Sequence, residues 1–408
     1  MAERIVVMFA YHFPPENVIG GLRPFYFYKY LSRMGYRCRV ITAADPGRAP
    51  EADCEYIPDP FITRPRDGLG WQLERAVRKL LIPAVTGFRW SLLASRAAHA
   101  FLFSNPGAEI TIYSTFPPLG AHFAALLLMR KKRLNWIADS RDPLGDNPSH
   151  IGLTSFQQGL YRWLERLILK KADIVIVNTD AAAEKLKNAY PKYRARVHLI
   201  WNGFDPEDQI EARPLPLRAT RVLSHTGELY GGRTITPLLN SISRLINSGQ
   251  LTADSIRIRL IGPFKSDSVP DPGFLRRASE QGWLELVAEQ VPRQEARRIA
   301  QDSDGLLLVQ PQSAVQVPGK LFEYLRLGRP VLAFILPGTP IERILSQSGV
   351  PYRCVYADSS PEQMDSAVMS FFGLQSDACR ANSWFREQFD AQRQTEALDV
   401  LIRSIHGR

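Results

Sequence analysis

A chain of 408 residues is too long for one ordinary hydrophobic core and predicts two or three domains. Its 45% hydrophobic and 23% charged content is a globular balance that excludes a disordered or fibrous protein. The formal net charge of +10 predicts a surface that attracts phosphates, whether of nucleotide diphosphates, nucleic acid or anionic lipid.

The first predicted element is a strand over residues 5–10. Glu3 and Arg4 precede it and Pro14-Pro15 ends the apolar run, so it reads as a strand and not as a signal peptide. A glycine loop, a helix over 25–34 and a strand over 39–42 follow. Residues 58–106 break the pattern, with arginines at 64, 66, 75, 78, 89 and 96 among Trp71, Phe88, Trp90 and Phe101. That stretch reads either as a helical insertion packed on the first domain or as an amphipathic surface for anionic lipid. Strands over 110–114, 136–139 and 173–178 complete a first doubly wound β/α series. The longest apolar run, 121–129, is far too short to span a membrane and ends at Arg130-Lys131-Lys132-Arg133, so any membrane contact is peripheral.

Trp201-Asn202-Gly203-Phe204-Asp205-Pro206 and the segment 213–217 read as a linker. Strands then restart at 221–225, 256–261, 305–310, 330–334 and 352–356, and 383–405 reads as helical. Two open α/β sheets are therefore expected to face one cleft at their strand C-terminal ends. Cys38, Cys54, Cys354 and Cys379 lie far apart without a CxxC pair, which suits reduced thiols in a cytosolic protein.

Four segments carry candidate chemistry. After the first strand, Pro14-Pro15 leads to Gly20-Gly21 and Arg23: glycines that let a ligand approach, a helix start for an anion, and a guanidinium for phosphate. A plain βα turn is the bland alternative. In the second series, His225-Thr226-Gly227-Glu228-Leu229-Tyr230-Gly231-Gly232-Arg233-Thr234 occupies the matching place, with Arg233 in reach of a diphosphate and Thr234 able to cap a helix. Next, Pro318-Gly319 opens a helix whose first turn carries Lys320, with Glu323 one turn on; the cation and free N–H groups suit a diphosphate and the carboxylate suits two ribose hydroxyls. A surface Lys–Glu pair is the alternative there. Finally, Asp139-Ser140-Arg141-Asp142-Pro143 follows a strand; Asp139 and Asp142 read as an acid/base pair or as a capped turn. No histidines stand at metal-ligand spacing, and no Walker loop or DxD is present where it would count. The basic residues are spread without a base-stacking platform, against nucleic acid as partner.

Together these residues resemble glycosyltransferase family 4 and its GT-B relatives over nearly the whole chain. The similarity lies in Pro14-Pro15, Gly20-Gly21 and Arg23; in Asp139 to Pro143; in Ala172-Asp173 and Ile200 to Asp205; in Thr226 to Arg233; and in Pro318 to Val331. The resemblance implies an N-terminal acceptor-binding domain over 1–204, a nucleotide-sugar-binding domain over 205–385, and a helix over 386–408 crossing back to the first. It implies a retaining, metal-independent hexosyltransferase using a UDP- or GDP-linked sugar and a glycan or lipid-linked acceptor, in cell-surface polysaccharide or glycolipid synthesis. The expected location is the cytoplasm, with peripheral contact at the inner membrane face. Arg233 and Lys320 would neutralise the diphosphate and Glu323 would hold the ribose. Two departures stand out. The family's first glutamate, eight positions before Glu323, is Val315, leaving Gln312, Ser313 or Gln316 as substitutes. The arginine expected after Gly227 is Glu228. A nucleotide-sugar epimerase on the same scaffold, or a non-catalytic basic binding protein, are the competing readings.

Overall fold

Short strands buried on both faces organise the chain, as parallel strands covered by helices must be. The computed structural model describes residues 3–14, 19–43, 53–63, 72, 75–76, 86–130, 134–147, 152–210, 213–216, 218–374 and 379–407. β1 (Arg4–Phe9), β2 (Arg37–Thr42), β3 (Cys54–Tyr56), β4 (Glu109–Phe116), β5 (Asn135–Ser140), β6 (Ile174–Val177) and β7 (Val197–Leu199) form one sheet in the order β3-β2-β1-β4-β5-β6-β7. β8 (Arg221–Thr226), β9 (Ile256–Ile261), β10 (Leu284–Val287), β11 (Gly305–Gln310), β12 (Val331–Ile335) and β13 (Tyr352–Tyr356) form another in the order β10-β9-β8-β11-β12-β13. Every pairing is parallel. The strand order reverses between β1 and β4 and again between β8 and β11, the places where open α/β sheets take ligands.

β3, β7 and β10 were not expected from the sequence. Each is short, lies at or next to a sheet edge, and is only partly buried, so it lacks a continuous apolar run.

The chain divides into two compact units, Met1–Pro206 with Asp390–Arg408, and Glu207–Phe389. The stretch 383–405 is two helices, not one. Ser383–Gln388 ends before Asp390, whose carboxylate accepts from Gln392 and Arg393 N–H and caps Ala391–His406. The second helix inserts Leu398, Ile402 and Ile405 among Phe27, Leu31 and the strands of the first sheet. Trp201 to Asp205, read above as linker, is anchored. Asp205 accepts from Lys29 (2.6 Å) and the Tyr30 hydroxyl (2.7 Å), both on the helix Leu22–Arg33.

Of the insertion at 58–106, the helix Phe88–Phe103 is described. It buries Trp90, Ala94, Ala98 and Leu102, with Trp90 edge-on to Tyr11, while Phe88, Leu92 and Phe103 stay outside. This helix is packed on its unit. Arg64, Arg66, Trp71 and Arg78 lie outside the described residues. Among the described residues no helix is long and apolar enough to cross a membrane.

Candidate functional site

In the second unit, β8 ends at Thr226 and the chain turns through glycines at positive φ: Gly227 (118°), Gly231 (59°) and Gly232 (81°). At Gly227 a Cβ would sit 2.8 Å from Lys320 Nζ, so the loop must lack a side chain where the ammonium lies. Gly262 (φ 125°), just past β9, would place a Cβ 2.9 Å from the Gly227 carbonyl carbon. The two backbones touch because neither residue carries a side chain. The sequence reading missed Gly262, whose signal was a glycine-proline pair closing a strand.

Lys320 opens the helix Lys320–Leu327, after Pro318 and with Gly319 at the cap. Its ammonium donates to the Thr226 carbonyl (2.8 Å) and lies 3.3 Å from His225 Nε2. His225 Nδ1 is 2.9 Å from the Leu307 carbonyl, which only accepts, so Nδ1 carries the proton and Nε2 accepts from Lys320. Burial, then the Lys320 charge, hold His225 well below its ordinary value, which keeps it neutral. Burial, then the neighbouring Arg233, push Lys320 down to about 7, with Glu323 pulling weakly the other way. Arg233 lies over the Tyr230 ring at 4.6 Å, and its buried Nε has no partner. The Tyr324 hydroxyl receives the Thr226 N–H (3.2 Å) and fixes the end of β8.

Glu323 does not pair with Lys320. Its Oε1 accepts from Arg293 (Nε at 3.1 Å, and Nη2) and from Arg297 (3.3 Å). Arg297 also grips Asp208 through two bonds of 3.0 and 2.7 Å. Burial works to raise Asp208, but Arg297, with Arg326 and Arg293 behind it, brings it below the usual carboxylate range. Arg293 and Arg297, on the helix Arg293–Gln301, were absent from the sequence reading. The cluster thus sets Arg233, Lys320, Arg293 and Arg297 against Glu323 and Asp208. The amides expected to be free at the helix start are partly used: Leu321 and Phe322 N–H donate to Pro318 and Gly319 carbonyls. Nearby on the β11 loop, Gln310 Oε1 and both amide atoms of Gln312 are buried without partners. Ser313 Oγ is engaged by Val315 and Gln316 N–H.

The first unit treats its matching segment differently. Arg23 does not face outward as a phosphate ligand. Its guanidinium forms two bonds to Asp139 (2.9 and 3.1 Å) and reaches the Trp201 carbonyl (2.7 Å) and Asn202 Oδ1 (3.3 Å), leaving it 6% exposed. Asp139 is fully buried and also receives the Tyr113 and Thr115 hydroxyls. That corrects the acid/base reading of Asp139 with Asp142: a carboxylate sealed among four donor groups has no route to a substrate proton. Asp142 is half-buried, in a cavity lined by Ser140, Asp146, Glu165 and Lys185. Arg141 ties the loops together, donating to the Gly20, Phe116 and Pro117 carbonyls at 2.7, 3.1 and 2.6 Å. Gly21 is needed for closeness, since a Cβ there would meet Phe13 backbone at 3.2 Å. Among the described residues no group of three or more His, Cys, Asp or Glu could hold a metal ion.

Two parallel sheets with paired glycine loops at their switch points now stand beside known proteins. Residues 25–208 match the family model described as Glycosyltransferase Family 4. The match falls almost wholly within the first unit. The fold has solved counterparts along its whole length. A sucrose-phosphate synthase from Thermosynechococcus elongatus shares 14% identity at a TM-score of 0.67, covering 99% of this chain and 100% of that one. Anabaena HepE, solved with UDP and glucose, shares 15% at 0.59, covering 98% and 100%. The catalytic domain of Arabidopsis thaliana starch synthase IV, bound to ADP and acarbose, shares 13% at 0.57, covering all of both chains. At such identities these likenesses show the GT-B fold. No curated protein sequence matches the chain.

Proposed function

We propose that this protein is a glycosyltransferase that moves a sugar from a UDP- or GDP-linked donor to a glycan or lipid-linked acceptor, with retention and without a metal ion, in cell-surface polysaccharide or glycolipid synthesis at the inner face of the cytoplasmic membrane. The observation that carries the reading is Arg233 beside Lys320 at the second switch point, with no carboxylate bonded to either among the described contacts. The solved relatives with UDP and glucose and with ADP and acarbose support a nucleotide diphosphate donor.

In the reaction the bond between sugar and diphosphate breaks, negative charge gathers on the departing diphosphate, and the acceptor oxygen bonds to the sugar and passes its proton to an oxygen of that leaving group. Arg233 and protonated Lys320 stabilise that charge from fixed positions, the kind of electrostatic term that usually dominates. Gly227, Gly231 and Gly232 let the diphosphate approach the backbone, as do Pro318 and Gly319 at the helix start. Glu323, held in orientation by Arg293 and Arg297, accepts the ribose hydroxyls. The roles of Gly20, Gly21 and Asp142 fall to the acceptor side.

The test is nucleotide diphosphate release from a panel of UDP- and GDP-sugars, with and without acceptors. Acceptor-dependent release, cut about a hundredfold by Lys320→Ala or Arg233→Ala, is the expected result. Turnover near that of the parent in both variants would remove the reading. A sugar equilibrated without acceptor would instead favour an epimerase, for which a putative UDP-N-acetylglucosamine 2-epimerase from Listeria monocytogenes is a structural relative (TM-score 0.55).

A further inference from the structure

A helix lying on a sheet needs one apolar stripe, facing the sheet. The helix Ser155–Lys171 has two. Its inner face buries Tyr161, Leu164, Ile168 and Leu169. At about 100° per residue, Phe156, Leu160, Trp163 and Leu167 fall within a second sector about 60° wide, turned well away from the first. On that sector Phe156 is 65% and Trp163 57% exposed, among the most exposed large apolar side chains of the described chain. Folding of the unit gives no reason to keep them there.

Charge frames the stripe. The helix carries Arg162, Arg166, Lys170 and Lys171 against one acid, Glu165. By the same helical arithmetic Arg166 and Lys170 flank the stripe on one side and Lys171 on the other, while Glu165 points nearly opposite. Glu165 is turned inward, where its Oε1 accepts from Leu144 and Gly145 N–H at 3.0 and 3.1 Å. Just beyond the helix, Arg196 donates to the Leu169, Lys170 and Ala172 carbonyls, and Lys192 and Arg194 are exposed on the same turn. Aromatic side chains beside cations, with no outward acid on the helix, match a surface that is apolar below and negative above.

From this arrangement we infer that the outer face of Ser155–Lys171 docks on an anionic lipid bilayer, Phe156 and Trp163 entering the interface and Arg166, Lys170 and Lys171 meeting the headgroups. This places the contact on a different helix from the 58–106 segment singled out in the sequence. It does not depend on the donor assignment, because no residue of the face belongs to the second unit.

The test is co-sedimentation of the full chain with phosphatidylcholine vesicles and with vesicles also containing phosphatidylglycerol, at low and high salt. The expected result is pelleting with the anionic vesicles that weakens at high salt, and little with phosphatidylcholine alone. A Phe156→Ser/Trp163→Ser variant should lower the bound fraction about tenfold. An Arg166→Glu/Lys170→Glu variant should lower it to a similar degree and remove the salt dependence. Both variants should melt with the parent and keep its turnover on a soluble acceptor, since they change exposed side chains remote in sequence from the proposed donor site. Pelleting of the aromatic variant like the parent, or of neither protein, overturns the proposal. So does a concentration-dependent dimer of the parent that Trp163→Ser abolishes, which would assign the face to a second copy of the chain.

Discussion

The two units present the same local plan, a strand, a glycine loop and a helix at the point where the sheet order reverses, yet they treat its cation in opposite ways. In the first, Arg23 spends its guanidinium on Asp139, Trp201 and Asn202 and is shut inside. In the second, among the described residues, Lys320 is met only by neutral acceptors, the Thr226 carbonyl and His225 Nε2, and Arg233 rests on the Tyr230 ring. Like topology therefore gives a cross-link in one unit and unspent positive charge in the other. What decides between them is whether a carboxylate sits at the end of the neighbouring strand: Asp139 closes β5 beside Arg23, whereas Lys320 finds main chain and imidazole.

The largest effect should come from breaking the closed pair. Asp139→Asn leaves Arg23 charged and buried, which costs about 3–5 kcal/mol in comparable cases. Chemical denaturation should show that loss, while UDP affinity of the protein that remains folded stays at the parent's value, because the pair holds the first unit together and the proposed donor site lies in the second. A stable Asp139→Asn protein, or one whose UDP affinity falls in proportion, would dissolve the contrast between the units.

Next in size is the open cluster itself. Lys320→Ala should lower turnover by two orders of magnitude, about 2.7 kcal/mol in the barrier, while leaving the melting temperature equal to or above the parent's, since a poorly solvated ammonium is removed. Smaller again is Gly262→Ala. Its φ of 125° and the 2.9 Å approach to the Gly227 carbonyl carbon require the loop after β8 to shift. About 1–3 kcal/mol of stability should be lost, and UDP should bind more weakly through displacement of Gly227, as titration calorimetry would read.

Much of this plan is legible in the amino-acid sequence. Continuous apolar runs gave most strands because both faces of a parallel sheet are buried; the edge strands β3, β7 and β10 were silent because theirs are not. Gly227, Gly231, Gly232, Arg233 and Lys320 stood out through their spacing after strands. Sequence could not show that Arg23 and Asp139, 116 positions apart, neutralise each other, because that is a fact of packing. Nor could it show that Glu323 turns to Arg293 and Arg297, since a basic helix one strand away reads as an ordinary solvated surface. The reach of spacing ended where partners come from distant segments.

The finest measure of the contrast is protonic. Burial and Arg233 lower Lys320 to about 7 from an ordinary 10.5. Between these values the native chain holds fewer protons than the unfolded one, so this residue makes stability rise as pH climbs from about 7 towards 10.5. A bound diphosphate reverses the cause: two nearby negative charges favour the ammonium and raise its pKa. Binding UDP at about pH 8.5, where the nucleotide is already ionised, should then draw up a sizeable fraction of a proton. Calorimetry in two buffers of different ionisation enthalpy reads that fraction from the difference in apparent heat. It should shrink as the pH falls from about 8.5 towards 7, where more of Lys320 is already charged, and it should vanish at about pH 8.5 in Lys320→Arg, whose guanidinium never lets go of its proton. Uptake that persists in Lys320→Arg would assign the proton to another group and deprive the second unit of its distinguishing cation.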